Sequence, residues 1–117
     1  MTLMVCAYRL AKGEWIDLDV PSPLGGEPTL AGLEATRFNF YGSDKAKRLG
    51  LKILPQLATN NIYAEGMEEL DALRAEVKIL FDNLDSSDDY WPFRLGNILR
   101  AIECAKQYGD AGRVFIF

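Results

Sequence analysis

Residues 66–108 read GMEELDALRAEVKILFDNLDSSDDYWPFRLGNILRAIECAKQY, and their pattern decides the fold. Leu70, Leu73, Val77, Leu80 and Leu84 recur at steps of three and four, and so do Trp91, Leu95, Ile98, Ile102 and Ala105. Such spacing puts each set on one face of a helix, so the stretch predicts two amphipathic helices with a shared apolar seam. Asp85-Ser86-Ser87-Asp88-Asp89-Tyr90 joins them, a link short enough to force antiparallel neighbours. Glu68 and Glu69 suit the positive end of the first helix. Asp88, Asp89 and Pro92 open the second, and Lys106 followed by Gly109 closes it. Beyond the seam, Phe81, Leu99, Cys104 and Tyr108 are expected to face a sheet.

Outward from the hairpin, the two ends of the sequence read as strands. Leu3 to Leu10 is apolar at both parities, which suits a strand covered on both faces or lying centrally; Arg113 to Phe117 ends Val-Phe-Ile-Phe and belongs inside the sheet for the same reason. Ala11-Lys12-Gly13 predicts a three-residue hairpin link with glycine in the left-handed position. Glu14 to Val20 alternates, with Ile16, Leu18 and Val20 inward and Trp15, Asp17 and Asp19 on a wet face. Pro21 to Ala35 is rich in proline and glycine and reads as a long loop. Thr36 to Tyr41 alternates again and predicts a third strand with Phe38 and Phe40 inward.

Gly42 ends that run, and Ser43 can cap a short helix from Asp44 that stops near Gly50 or continues as a turn through Leu54. Asn60-Asn61 marks a turn into a short edge strand, Ile62 to Ala64. The whole is α+β: a mixed or mainly antiparallel sheet of about four to five strands against a long C-terminal helix hairpin and a shorter helix. At 117 residues and 49% hydrophobic content, residues 1–117 form a single domain with one core.

Charge is uneven. The net charge is −4, yet nine acids against Arg74 and Lys78 give residues 65–89 a charge of −7. Such a segment repels phosphate backbones and attracts a basic partner within about a Debye length, so nucleic acid is excluded as the hairpin's target. No apolar run is long enough to span a membrane, and Cys6 and Cys104, with no CxxC, predict free thiols in a cytoplasmic protein.

Chemistry is thinly represented. Histidine is absent, which removes Ser-His and Cys-His nucleophiles and the commonest acid–base group at neutral pH. Asp17 and Asp19 could hold a cation or act as an acid–base pair, although any half-exposed strand offers that spacing. Aligned on an EF-hand loop from Asp85, Tyr90 stands where glycine is required and Gly96 where glutamate is required. Leu24-Gly25-Gly26-Glu27 lacks the rest of a phosphate loop. Arg37, Lys45, Lys47, Arg48 and Lys52 form a basic cluster near Ser43, with no glycine cradle beside it.

The expectation is therefore a small acidic interaction domain, more an inhibitor or toxin-neutralising (immunity-type) protein than an enzyme. Neither a catalytic set, a metal set nor a cofactor is assigned. Its partner-binding residues are read as Trp15, Asp17, Asp19, Tyr63, Glu68, Glu69, Asp85, Asp88, Asp89 and Tyr90, aromatics among acids being the makeup of binding hot spots. The partner is another protein, basic in character, and a homodimer through the outer hairpin face is a further reading. The alternative is a ligand binder or carboxylate enzyme using Asp17, Asp19 and the 21–35 loop as a lid.

Overall fold

The computed structural model describes residues 1–22 and 25–117. Among these residues five strands form one antiparallel sheet: β1 (Thr2–Ala11), β2 (Glu14–Asp17), β3 (Leu30–Leu33), β4 (Ile62–Glu65) and β5 (Gly112–Ile116). Their order is β2-β1-β5-β4, and β3 pairs with the first part of β1, on the β2 side. The α-helices among the described residues are α1 (Asp44–Arg48), α2 (Gly66–Asp82) and α3 (Trp91–Lys106).

The hairpin is as the periodicity predicts. Leu70, Leu73, Val77 and Leu80 of α2 and Leu95, Ile98, Ile102 and Ala105 of α3 are buried, while Leu84 and Trp91 pack partly buried beside them. Both helices lie on one face of the sheet, against Leu3, Val5 and Ala7 of β1, Val114 and Ile116 of β5, and Ile62 and Ala64 of β4. Gly112 lets β5 begin hard against α3: a Cβ there would lie 2.0 Å from the Ala105 carbonyl oxygen. Leu99 and Cys104 are half-buried; Tyr108, though 45% exposed, lies against β1 with the Arg9 guanidinium 5.2 Å from its ring centroid, and Phe81 is exposed.

Central placement is what β1 and β5 share. Each has a strand on both sides, with Val5 opposite Ile116 and Ile62 opposite Ile116 in turn. The β1–β2 connection is tighter than predicted, because Ala11 pairs with Glu14 and only Lys12 and Gly13 turn, both at positive φ (52° and 79°). That is the two-residue turn whose twist matches a right-twisted hairpin. β2 stops at Asp17, and all its residues are exposed; Leu18 and Val20 pack on the core after the strand has ended.

Two segments differ in kind. Pro21 to Ala35 is not loop throughout, since Leu30–Leu33 forms β3, with Gly32 at φ 147° opposite Leu3; its Pro23 and Leu24 lie outside the described residues, as does the start of the Leu24-Gly25-Gly26-Glu27 run. Arg37–Tyr41 is a π-helical turn, not a strand, closed by the Gly42 N–H on the Arg37 carbonyl at 2.9 Å. Tyr41 is the fully buried member and donates its hydroxyl to the Ala31 carbonyl at 2.7 Å, whereas Phe38 is 62% exposed. Phe40 stacks on Trp91 with ring centroids 3.5 Å apart. A hydroxyl that needs a buried acceptor overrode the simple alternation.

Candidate functional site

Because α2 and α3 occupy one face, the parity of the strands leaves the other face open. No residue on it is buried among the described residues. Register sets out its rows. Asp17, Tyr8, Arg113 and Glu65 lie side by side across β2, β1, β5 and β4, and Cys6, Phe115 and Tyr63 form the next row. Tyr63 stacks on Phe115 and Phe115 on Phe117, each with centroids 4.4 Å apart; Trp15 meets Tyr8 edge to face at 5.5 Å. Trp15 is 48% and Tyr63 54% exposed. Arg113 reaches Glu65 at 3.4 Å in the midst of these rings.

Of the residues expected to bind a partner, Trp15, Asp17 and Tyr63 thus share this face. Tyr8, Phe115 and Phe117 join them, having been read from the sequence only as interior strand positions. Double-sided apolar strands signal a second covering layer, and here no helix among the described residues supplies it.

The acidic hairpin divides differently. Glu76 reaches across from α2 to the turn Leu54–Ala58, accepting from the N–H groups of Lys52, Ile53 and Leu54 at 2.9–3.0 Å. Asp88 accepts from the N–H groups of Tyr90 and Trp91 at 2.9 Å and so caps α3. Asp85 takes the Ser87 N–H, which holds its carboxyl below the usual range. Asp71 pairs with Lys106 and Glu103 with Arg74. Glu69 accepts from the Glu65 N–H at 3.2 Å. Glu68, Asp82 and Asp89 are left with no hydrogen bond or ion pair among the described residues. Tyr90 is half-buried beneath the Arg94 guanidinium, 3.8 Å from its ring centroid.

The basic cluster near Ser43 resolves into architecture in part: Lys45 donates to the Asn83 carbonyl at 3.1 Å, while Lys47, Arg48 and Lys52 make no side-chain hydrogen bond or ion pair among the described residues. Arg37 is committed to Glu34, to the carbonyls of Leu57 and Asn60 and to Asn61, and the Ser43 hydroxyl accepts from Ala46 N–H to cap α1.

Asp17 and Asp19 border a groove of about 290 Å³ with Cys6, Tyr8, Pro28 and Thr29. Burial pushes the Cys6 thiol up and the Tyr8 phenol up to about 12, so neither is a ready nucleophile or base at neutral pH. No cluster of three or more metal-ligating side chains occurs among the described residues. Cys6 and Cys104 are free and half-buried. No helix is long and apolar enough to cross a membrane among the described residues.

A second groove follows the free edge of β4. Ile53, Gln56, Asn61, Glu69 and Ala72 flank the strand over about 330 Å³, and the groove continues into one of about 470 Å³ bordered by Glu65, Glu68, Glu69 and Asp110.

No protein-family model matches the chain, and no curated protein or solved structure matches it either.

Proposed function

We propose that this chain is a protein-interaction domain that docks through the open face of its sheet. The observation that carries the reading is the run of stacked rings, Tyr63 on Phe115 on Phe117, with Tyr63 exposed and both phenylalanines half-buried on a face that no helix among the described residues covers. Contiguous exposed apolar surface of this kind marks interaction sites, and rigid aromatics give much contact area for little lost freedom. The net charge of −4 favours a basic partner, and inhibitors that mask a basic active site, toxin-neutralising proteins among them, are the subclass that fits best. Two unpaired thiols fit residence in the cytoplasm.

Affinity capture with wild type and with Trp15→Ser and Tyr63→Ser tests the reading. Both variants remove exposed rings and should lose the captured partner while staying folded, each melting curve lowered only by the about 1 kcal/mol of one lost ring contact. Equal recovery by all three proteins would exclude the face as the docking surface.

A second reading has one observation in its favour, the groove shared by Asp17, Asp19, Pro28 and Thr29, which is where a ligand site using the loop would lie. Calorimetric titration with Mg2+, Mn2+ and Ca2+ should then give heat that Asp17→Asn abolishes; no heat with any of them leaves the groove without a cation role.

A further inference from the structure

We infer that the free edge of β4 accepts an extended segment of a partner protein as an added strand, and that this segment places a Lys or Arg against Glu68, Glu69 and Asp110. The inference rests on the interaction reading above and names a second contact within it.

Register supplies the first step. Met4 and Phe117 exchange both N–H···O bonds, so Phe115 and Arg113 also turn their backbone groups toward β1, and Val114 and Ile116 turn theirs toward β4. Ile62 and Ala64 are therefore the bonded partners on β4, and Tyr63 and Glu65 turn outward. The Glu65 N–H is taken by the Glu69 carboxylate. The Tyr63 N–H and carbonyl bond to no described residue. β4 is short and ends in the charged Glu65, but it contains no proline, lysine or bulge, so the Tyr63 pair is left open to another strand.

The groove beside it selects the occupant. In an added strand the residue opposite Tyr63 shares the open face, and its two neighbours point to the helix side. The one opposite Ile62 meets Ile53 and Ala72, which suits an apolar side chain. The one opposite Ala64 meets the acidic end, bordered by Glu68, Glu69 and Asp110 and by no base. Arg113 offsets only Glu65, from the other face. A second copy of this chain would bring another such groove and another −4 charge to the seam, so charge favours a basic strand over self-pairing. The segment's groove-facing pair is thus one apolar and one basic residue, two apart.

Selection of a random displayed peptide library on the intact protein tests this. Enriched peptides should carry the apolar-x-basic pair in either direction. A synthesised winner should slow hydrogen exchange of the Tyr63 amide by about tenfold or more, with Ile62 and Ala64 unchanged because they are already bonded. Glu68→Lys should weaken that peptide by about tenfold, attraction having become repulsion, while lowering the melting curve only by the small amount that a reversed charge costs in the first turn of α2. Trp15→Ser should bind it as wild type does. Failure to enrich, enrichment without a basic residue, protection away from Tyr63, or indifference to Glu68→Lys would each overturn the inference. Loss of the native partner in Trp15→Ser would still stand for the open face, so the two readings fail separately.

Discussion

Asn97, wholly buried on α3, donates its side-chain amide to the Leu30 carbonyl of β3 at 2.8 Å and to the Glu27 carbonyl at 3.1 Å. Its own oxygen accepts from Arg100. One polar side chain thus anchors both β3 and the segment before it to the hairpin. Asn97→Leu strands two carbonyls in the interior and should cost about 2–4 kcal/mol in urea unfolding.

Glu76 contributes to stability through the turn at Leu54–Ala58. Glu76→Ala leaves three N–H groups without their carboxylate and should cost about 2 kcal/mol; Glu76→Gln, which keeps one acceptor, should cost about half as much. Amide exchange at Ile53 and Leu54 should quicken in both variants, more in the first.

Asp88 and Asp89 are neighbours with opposite fates. Asp88→Ala removes the α3 cap and should cost about 1 kcal/mol, whereas Asp89→Ala should stay within about 0.5 kcal/mol of wild type. Equal effects in thermal melts would contradict the capping role.

Gly112→Ala drives a methyl group into the Ala105 carbonyl, backbone against backbone. The collision cannot be relieved by a rotamer, so the loss should exceed about 3 kcal/mol, visible as a much lower urea midpoint.

Alkaline titration should separate the tyrosines. Tyr8 ionises near pH 12 in the folded protein, held there by burial, and Tyr41 ionises higher still, for the same reason. For Tyr8 the folded pKa lies above the unfolded value of about 10, so its contribution is intact below pH about 10 and is lost as pH rises through about 12. The phenolate absorbance that Tyr8→Phe removes should therefore precede the part that Tyr41→Phe removes, the later one coinciding with loss of near-ultraviolet dichroism.

The hairpin, β1 and β5 are legible in the sequence because periodicity and double-sided apolarity leave few alternatives. β3 is not, since Gly32 and the surrounding glycines and prolines carry the composition of a loop while its pairing partner, Leu3, lies far away in the chain. The turn at Arg37–Tyr41 mimics a strand because two phenylalanines happen to alternate. The candidate face is half legible: Trp15 and Tyr63 stand out as exposed aromatics, but the openness of Phe115 and Phe117 depends on where the helices go. Acid counts misled most, because a carboxylate that caps a backbone and one that greets a partner look the same as letters.

Val5 facing Ile116 has a temporal consequence. Of the five strands, β1 is synthesised first and β5 last, and β5 is the strand that joins β1 to β4. Translation therefore delivers the α2–α3 pair before its sheet can close, and β1 must wait, apolar on both sides, for its central neighbour. A sheet closed by so distant a contact carries a high loop-closure cost, which by the contact-order relation should slow its folding.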